Sequence, residues 1–198
     1  MRFNNIAIER EYASGGSEAG EKLAAKLGIP CYGREILERA STKLGLSVSE
    51  LEDLEESMTG SFMYNLYMLA SITTGGGDGL TTAQKLAIAE SEIIRDLALH
   101  PCVIVGRSAA GVLRGKDNVL KVFIHADYDT RISRAVEVYH NASNTAESVL
   151  RRYDKRRSVY FKANTGVEWK DESTYHLCLN SGKLGVDSTV DILYTAVK

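Results

Sequence analysis

Short apolar runs followed by helical patterns recur along the whole chain. The predicted strands lie at residues 6–8, 31–32, 102–105, 119–126 and 176–180. The predicted helices follow Gly16 and lie at 34–44, 81–99, 127–139, 146–161 and 186–197, with further ones beginning at Ser47 and covering 58–70 and 109–113. Because strands alternate with helices, we predict an α/β fold with a mainly parallel sheet and right-handed crossovers.

A glycine turn separates the first predicted strand from the first helix. The sequence there is Ala13-Ser14-Gly15-Gly16-Ser17. Two adjacent glycines leave backbone N–H groups free to face an anion, and the helix N-terminus adds partial positive charge. The turn therefore indicates a phosphate site, and a plain strand-to-helix connection is the competing interpretation.

The turn departs from the P-loop pattern G-x-x-x-x-G-K-[ST] at two positions. Gly15 and Ser17 occupy the second-glycine and hydroxyl positions, whereas Arg10 replaces the first glycine and Gly16 replaces the lysine. Arg10 lies one residue past the strand and is a hypothetical source of the missing positive charge. A solvated loop arginine is the alternative.

Two further stretches carry candidate chemistry. The apolar run 102–105 is typical of a central parallel strand, and Gly106-Arg107-Ser108 follows it at the edge where α/β folds bind ligands. Five of the seven residues in 151–157 are basic. A triphosphate would explain this cluster, with RNA binding or a solvated helix as alternatives.

Three other features have simpler interpretations. Four glycines in 75–79 favour a mobile loop over a substrate pocket, with a second anion nest as the alternative. The acidic residues between 50 and 56 favour a solvated helix face. Trp169 and Tyr175 are expected in the core, with the edge of a pocket as the alternative.

Composition limits the possible classes of protein. The chain has 198 residues, 44% of them hydrophobic, and a net charge of −2, which suits one globular domain without a general attraction to nucleic acid or membranes. Three widely spaced cysteines predict buried, reduced thiols in a cytoplasmic protein. The histidines lack metal-ligand spacing, and we expect neither a secretory leader nor a membrane span.

Together these stretches resemble the cytidylate kinase-like family of P-loop proteins. The resemblance rests on IAIEREYASGGSEAGEKLAAKLGIPCYGREIL, CVIVGRSAAGVL, RRYDKRRSVYF and WKDESTYHLCLNS, which occur in the family's order over nearly the whole chain. It implies a P-loop NTPase-like three-layer fold, with a five-stranded sheet, helices on both faces and a helical lid at about 128–163 within a single domain, 1–198.

The resemblance also implies roles for individual residues. The ATP phosphates would be bound by Arg10, Ser14, Gly15, Gly16 and Ser17, and Ser17 would be the ligand of Mg²⁺. The catalytic arginines would be Arg10, Arg131, Arg134, Arg152 and Arg157. The acceptor would be bound by Arg34, Arg39, Arg107 and Asp154. Ser108 stands where the family's Gly-Arg-Asp motif has its aspartate, and the strand at 102–105 ends without an acid.

The implied function is ATP-dependent phosphoryl transfer to a small acceptor such as CMP. The expected cofactors are ATP and Mg²⁺, and the expected partners are small nucleotide substrates, with no nucleic acid and no membrane. A regulatory protein that binds nucleotides through a degenerate P-loop without turnover is the alternative, and a kinase for a non-nucleotide acceptor is a further one. The sequence does not indicate an oligomeric state.

Overall fold

A five-stranded, entirely parallel sheet organises the computed structural model, which describes residues 2–57 and 80–198. Its strands are β1 (Asn5–Arg10), β2 (Cys31–Tyr32), β3 (Cys102–Val105), β4 (Val119–His125) and β5 (Leu177–Asn180). Their spatial order is β2-β3-β1-β4-β5, so β1 lies at the centre. The carboxyl ends of β1, β3 and β4 therefore meet at one edge of the sheet.

Helices cover both faces of this sheet. Among the described residues they are α1 (Gly16–Leu27), α2 (Arg34–Leu44), α3 (Val48–Ser57), α4 (Thr82–Leu97), α5 (Ala109–Val112), α6 (Tyr128–Glu137), α7 (Ala146–Thr165), α8 (Ser181–Leu184) and α9 (Val186–Val197), with a 3₁₀ turn at Glu172–Thr174. No helix in these ranges combines the length and apolar composition that crossing a bilayer needs.

The central strands are apolar on both faces because each face supports a separate core. Ile6 and Ile8 of β1 pack with Leu23 of α1 and Leu193 of α9 on one face. Ala7, on the opposite face, belongs to the core that contains Ile104, Phe123, Phe161 and Trp169. This arrangement explains why the run at 102–105 is continuously apolar rather than alternating.

Helix α1 approaches the sheet closely at Gly20. A Cβ atom at this position would lie 2.6 Å from Cγ2 of Val105 and 3.4 Å from Cδ1 of Ile8. The missing side chain lets α1 lie against β1 and β3, and this contact fixes the direction from which the helix N-terminus approaches the carboxyl edge of the sheet.

The predicted fold class is confirmed, and the differences are local. Residues 181–183, predicted as a turn, begin the short helix α8, whose N-cap is Asn180. Cys102 is buried as predicted, but Cys31 is half-buried and Cys178 is exposed because β5 is an edge strand. Trp169 and Tyr175 lie in the core, as expected. The predictions for 58–70 and 75–79 lie outside the described residues.

Replacement of Gly20 by valine tests the close approach of α1. Gly20→Val should destabilise the protein by about 2 kcal/mol or more, since even one added carbon overlaps Val105. Urea unfolding measures the effect. Gly115→Val is the matched control, because a Cβ there meets no atom within 4 Å, and its effect should stay within about 0.5 kcal/mol. Equal effects of the two substitutions would contradict this account of the packing.

Candidate functional site

The connection between β1 and α1 is a turn with a defined backbone shape. Ala13 and Gly15 both adopt positive φ angles, 58° and 82°. The Ser14 hydroxyl donates to the carbonyl oxygen of Glu11 at 2.9 Å and accepts from the amide of Gly16 at 3.3 Å. Ser181 braces the same turn from outside by donating to the carbonyl of Ser14. Ser14 therefore supports the turn through its side chain and is itself buried.

Arg10 is the last residue of β1 and its side chain extends beside the turn. Its Nε donates to Oγ of Ser17 at 3.3 Å. Burial lowers the pKa of Arg10 to about 9, the charges of Arg157 and Arg107 act in the same direction, and the carboxylate of Glu9 opposes them. Since this pKa lies above neutrality, the guanidinium remains a cation at pH 7 and gains from any anion placed beside it.

A cavity of about 390 Å³ opens beside Arg10 at the carboxyl edge of the sheet. Its lining combines five arginines, one acid and two tyrosines: Arg10, Arg34, Arg107, Arg156, Arg157, Glu52, Tyr153 and Tyr160. Guanidinium groups match phosphate and carboxylate oxygens geometrically. The cavity is therefore chemically suited to a small ligand with several negative charges.

Helices α6 and α7 both hold the backbone of Tyr12, the first through Arg131 and the second through Asp154. The amide of Tyr12 donates to Oδ1 of Asp154 at 2.8 Å, and its carbonyl accepts from Nε of Arg131 at 2.7 Å. Arg131 and Asp154 are themselves joined by a 2.5 Å contact between Nη2 and Oδ2. Arg157 adds a bond from Nη1 to the carbonyl of Arg10 at 3.0 Å. These bonds fix α6 and α7 to the end of β1 and to the residues that lead into the glycine turn.

Aromatic and acidic groups of the turn complete this contact. The ring of Tyr12 stacks on Tyr153 of α7, with centroids 4.5 Å apart and an angle of 12°. The buried carboxylate of Glu11 pairs with Nη1 of Arg131 at 3.2 Å and with Lys170. The turn is thus held by residues more than a hundred positions away in the sequence.

A buried acid also orients Arg107, which follows β3 and lines the cavity. Glu90 of α4 is 1% exposed, and its Oε1 lies 3.1 Å from Nη1 of Arg107. The hydroxyl of Tyr160 donates to Oε2 of the same carboxylate. Gly106, Arg107 and Ser108 have φ angles of 77°, 59° and 56°, so the chain turns sharply as it leaves β3.

Glu9 is a buried acid immediately behind the arginines. It is 3% exposed, and its Oε1 has no hydrogen-bond partner. Burial raises the pKa of Glu9 to about 7, while the charge of Arg10 acts against this increase. The indole of Trp169 lies close enough to lower the pKa slightly, but Nε1 forms no hydrogen bond of good geometry. Glu9 therefore titrates close to neutral pH.

The structure brings many of the sequence-predicted residues together. The cavity is lined by four of them: Arg10, Arg34, Arg107 and Arg157. The turn is formed by Ser14, Gly15, Gly16 and Ser17. Asp154 and Arg131 contact the backbone of Tyr12, just before the turn. Arg134 lies beside the turn, where Nη2 is 2.8 Å from Oε2 of Glu18 and Nε has no partner. Arg152 is exposed and Arg39 packs over the ring of Tyr32, so neither lines the cavity.

Several residues of the site were not singled out by the sequence. Tyr153, Arg156 and Tyr160 share the cavity-facing side of α7 with Arg157, and their i, i+3 and i+4 spacing is the signal that could have found them. Glu9, Glu90 and the pairing of Glu11 with Lys170 gave no signal, because each depends on contacts between distant parts of the chain.

The chain belongs to the cytidylate kinase-like family, which matches residues 5–183. No functionally curated protein matches it. A solved structure of an uncharacterized protein from Eubacterium ventriosum ATCC 27560 is 28% identical, with a TM-score of 0.70 and coverage of 98% of this chain and 97% of the other.

Two shikimate kinases share the fold at lower identity. The enzyme from Bacteroides thetaiotaomicron is 14% identical with a TM-score of 0.56, and coverage is 98% of this chain and 97% of that enzyme. The enzyme from Aquifex aeolicus is 16% identical with a TM-score of 0.51, and coverage is 98% and 95%. These neighbours show a P-loop kinase fold, and the family indicates a kinase-type phosphotransferase.

The titration of Glu9 predicts a pH-dependent effect on stability. The pKa of Glu9 is 4.5 in the unfolded chain and about 7 in the folded protein. Because the unfolded chain releases this proton more readily, the free energy of unfolding decreases as pH increases from about 4.5 to 7. Glu9→Gln removes the titration. Its stability relative to the unsubstituted protein should increase by about 2–3 kcal/mol between pH 5 and pH 8, as measured by urea unfolding.

Glu21→Gln, at an exposed position of α1, is the control for this measurement. Its unfolding free energy should follow that of the unsubstituted protein at every pH. The account of Glu9 would be wrong if the Glu9→Gln curve also ran parallel to the unsubstituted one.

Proposed function

We propose that this member of the cytidylate kinase-like family transfers the γ-phosphoryl group of ATP to a small anionic acceptor such as CMP. One observation carries the proposal: five arginines line a cavity of about 390 Å³, and one of them, Arg10, also contacts Ser17 of the glycine turn. Phosphoryl transfer requires positioned cations around the moving group and little covalent participation by the protein. A purely structural role would not require so many like charges to face one opening.

The proposed donor site is the turn and the residues around it. The backbone of Ser14, Gly15, Gly16 and Ser17 would bind the β-phosphate at the N-terminus of α1. Arg10, Arg134 and Arg157 would surround the β- and γ-phosphates, since Arg134 and Arg10 flank the turn and Arg157 reaches the carbonyl of Arg10. Fixed cations of this kind stabilise the charge of the transition state without reorganisation.

The proposed lid is the segment 128–163 within one kinase domain, 1–198. Arg131 and Asp154 link this segment to the backbone of Tyr12, so motion of α7 would move the turn and the cavity together. Arg152 lies on the exposed side of α7, and in this proposal it contributes only if the helix rotates on closure.

The proposed acceptor site lies on the side of β3 and α2. Arg107, oriented by Glu90, would bind an anionic group of the acceptor, and Arg34 lies at the rim, where Nη2 is 3.3 Å from Oε1 of Glu52. Asp154 and Arg39 have weaker support, because Asp154 is engaged by Tyr12 and Arg131, and Arg39 packs on Tyr32.

In this proposal Mg²⁺ would be held mainly by the phosphates of the nucleotide and by few protein groups. Among the described residues no group of three His, Cys, Asp or Glu side chains has metal-binding geometry. The acids around the turn, Glu11 and Glu18, are paired with cations. Ser17 would be the protein ligand, and when bound the ion would neutralise phosphate charge while keeping most of its waters.

A coupled assay of ADP release tests the proposal. The protein is incubated with ATP and Mg²⁺ and with CMP, dCMP or UMP, and ATP binding is measured in parallel. Turnover with one acceptor is the expected result. ATP binding without turnover would favour the nucleotide-binding alternative, and no binding at all would overturn the proposed site.

Two arginines of α7 provide a matched pair for this assay. Arg157→Gln should lower kcat/KM by about 100-fold or more, since it removes a cation from the proposed transition-state site. Arg151→Gln should change it by less than about threefold, because the Arg151 side chain is 74% exposed and pairs with Glu147. Equal losses would contradict the assignment of the cavity, provided that both variants unfold at the temperature of the unsubstituted protein.

A further inference from the structure

The two positions at which the turn departs from the P-loop pattern are in direct contact. The pattern has glycine where this chain has Arg10, and lysine where it has Gly16. A Cβ atom on Gly16 would lie 2.5 Å from Cβ and 3.0 Å from Cγ of Arg10. These distances are too short for non-bonded carbons, so a side chain at position 16 is incompatible with the arginine at position 10.

A second glycine makes room for the far end of the same side chain. A Cβ atom on Gly106 would lie 2.2 Å from Nη1 and 3.0 Å from Cζ of Arg10. Gly106 follows β3 directly and has a φ of 77°, a conformation that also favours glycine. The Arg10 side chain therefore crosses from the glycine turn to the end of β3, passing over one glycine near its base and another at its tip.

This path delivers a cation to the mouth of the turn. Arg10 contacts Oγ of Ser17, the residue at the hydroxyl position of the pattern, and lines the cavity together with Arg107 and Arg157. The P-loop lysine reaches the β- and γ-phosphates from the position before that hydroxyl. Arg10 thus also brings a positive charge to the residue at the hydroxyl position, Ser17, but from before the turn rather than from position 16.

We propose that Arg10 replaces the P-loop lysine. The two departures from the pattern then depend on each other: arginine in place of glycine at position 10 requires glycine in place of lysine at position 16. The proposal rests on the proposed function of the cavity as a polyphosphate site. Arginine suits the exchange because its planar fork binds two phosphate oxygens at once, whereas lysine acts as a point charge. Each departure from the pattern explains the other.

A double-mutant cycle tests the coupling. The four proteins are the unsubstituted chain, Arg10→Gly, Gly16→Lys and Arg10→Gly/Gly16→Lys, the last of which restores the full pattern G-x-x-x-x-G-K-[ST]. Two quantities are measured for each: the urea midpoint of unfolding, and the Kd for tripolyphosphate by calorimetry. The urea midpoint tests the steric contact between positions 10 and 16 and needs no ligand. The Kd tests whether Arg10 supplies the charge of the missing lysine.

The expected results differ between single and double substitutions. Arg10→Gly should weaken tripolyphosphate binding by about 10- to 100-fold, as expected for the loss of charged hydrogen bonds. Gly16→Lys alone should lower the urea midpoint, because two side chains then compete for one space. The urea midpoint of the double variant should be higher than the value expected if the two single changes in midpoint were added. The double variant should also bind tripolyphosphate at least about fivefold more tightly than Arg10→Gly. Recovery should be incomplete, since Cβ of Ile124 also lies 3.2 Å from the Cβ position of Gly16.

Arg34→Gln provides a control for charge alone. Arg34 lines the same cavity but lies away from position 16, so combining Arg34→Gln with Gly16→Lys should rescue neither stability nor binding. Rescue by this pair would overturn the steric part of the proposal.

Other outcomes separate this inference from the proposed function. Additive effects on the midpoint overturn the coupling, and tripolyphosphate binding unchanged by Arg10→Gly shows that Arg10 only braces Ser17. In both cases the phosphate site itself stands. If the unsubstituted protein does not bind tripolyphosphate, both the replacement of the lysine by Arg10 and the proposed function are overturned. Non-additive changes in the urea midpoint would still establish the steric coupling of positions 10 and 16. If Gly16→Lys does not fold, a folded double variant confirms the coupling and an unfolded one contradicts it.

Discussion

The concentration of positive charge at the carboxyl ends of β1 and β3 is the constraint on which the site depends. Five arginines face one cavity, and like charges this close destabilise a folded protein unless something opposes them. Acids oppose part of this charge: the buried Glu90 pairs with Arg107, and Glu52 pairs with Arg34. Arg157 instead donates to a backbone carbonyl. The balance leaves Arg10 with its pKa lowered and ready to gain from an anion.

The parallel sheet creates this concentration because it aligns the ends of strands that are distant in sequence. Arg10 ends β1, and Arg107 follows the neighbouring strand β3. Helices α6 and α7 then hold the backbone of Tyr12, shortly after β1, through Arg131 and Asp154. The fold therefore does more than support the turn. It brings the tip of Arg10 to Gly106, the residue before Arg107, and it connects the proposed lid to the residues before the turn through hydrogen bonds to the backbone.

The sequence predicted the strands and the turn because their signals are local. A continuous apolar run identified β3, a mostly apolar run identified β4, and adjacent glycines identified the turn before α1. The partners of the charged residues were not predictable, since Glu90 and Arg107, or Glu11 and Lys170, come together only through the tertiary fold. The rotation of α7 was also uncertain, and for this reason the sequence singled out the exposed Arg152 and missed Arg156, which lines the cavity.

A crystal structure of the protein with Mg²⁺ and ADP tests the central claim most directly. The account predicts that the β-phosphate lies within hydrogen-bond distance, about 3 Å, of the backbone amides at the start of α1 and of the guanidinium of Arg10. It also predicts that Ser17 faces the metal ion. A nucleotide bound elsewhere, or bound at the turn with Arg10 directed away from its phosphates, would contradict the account.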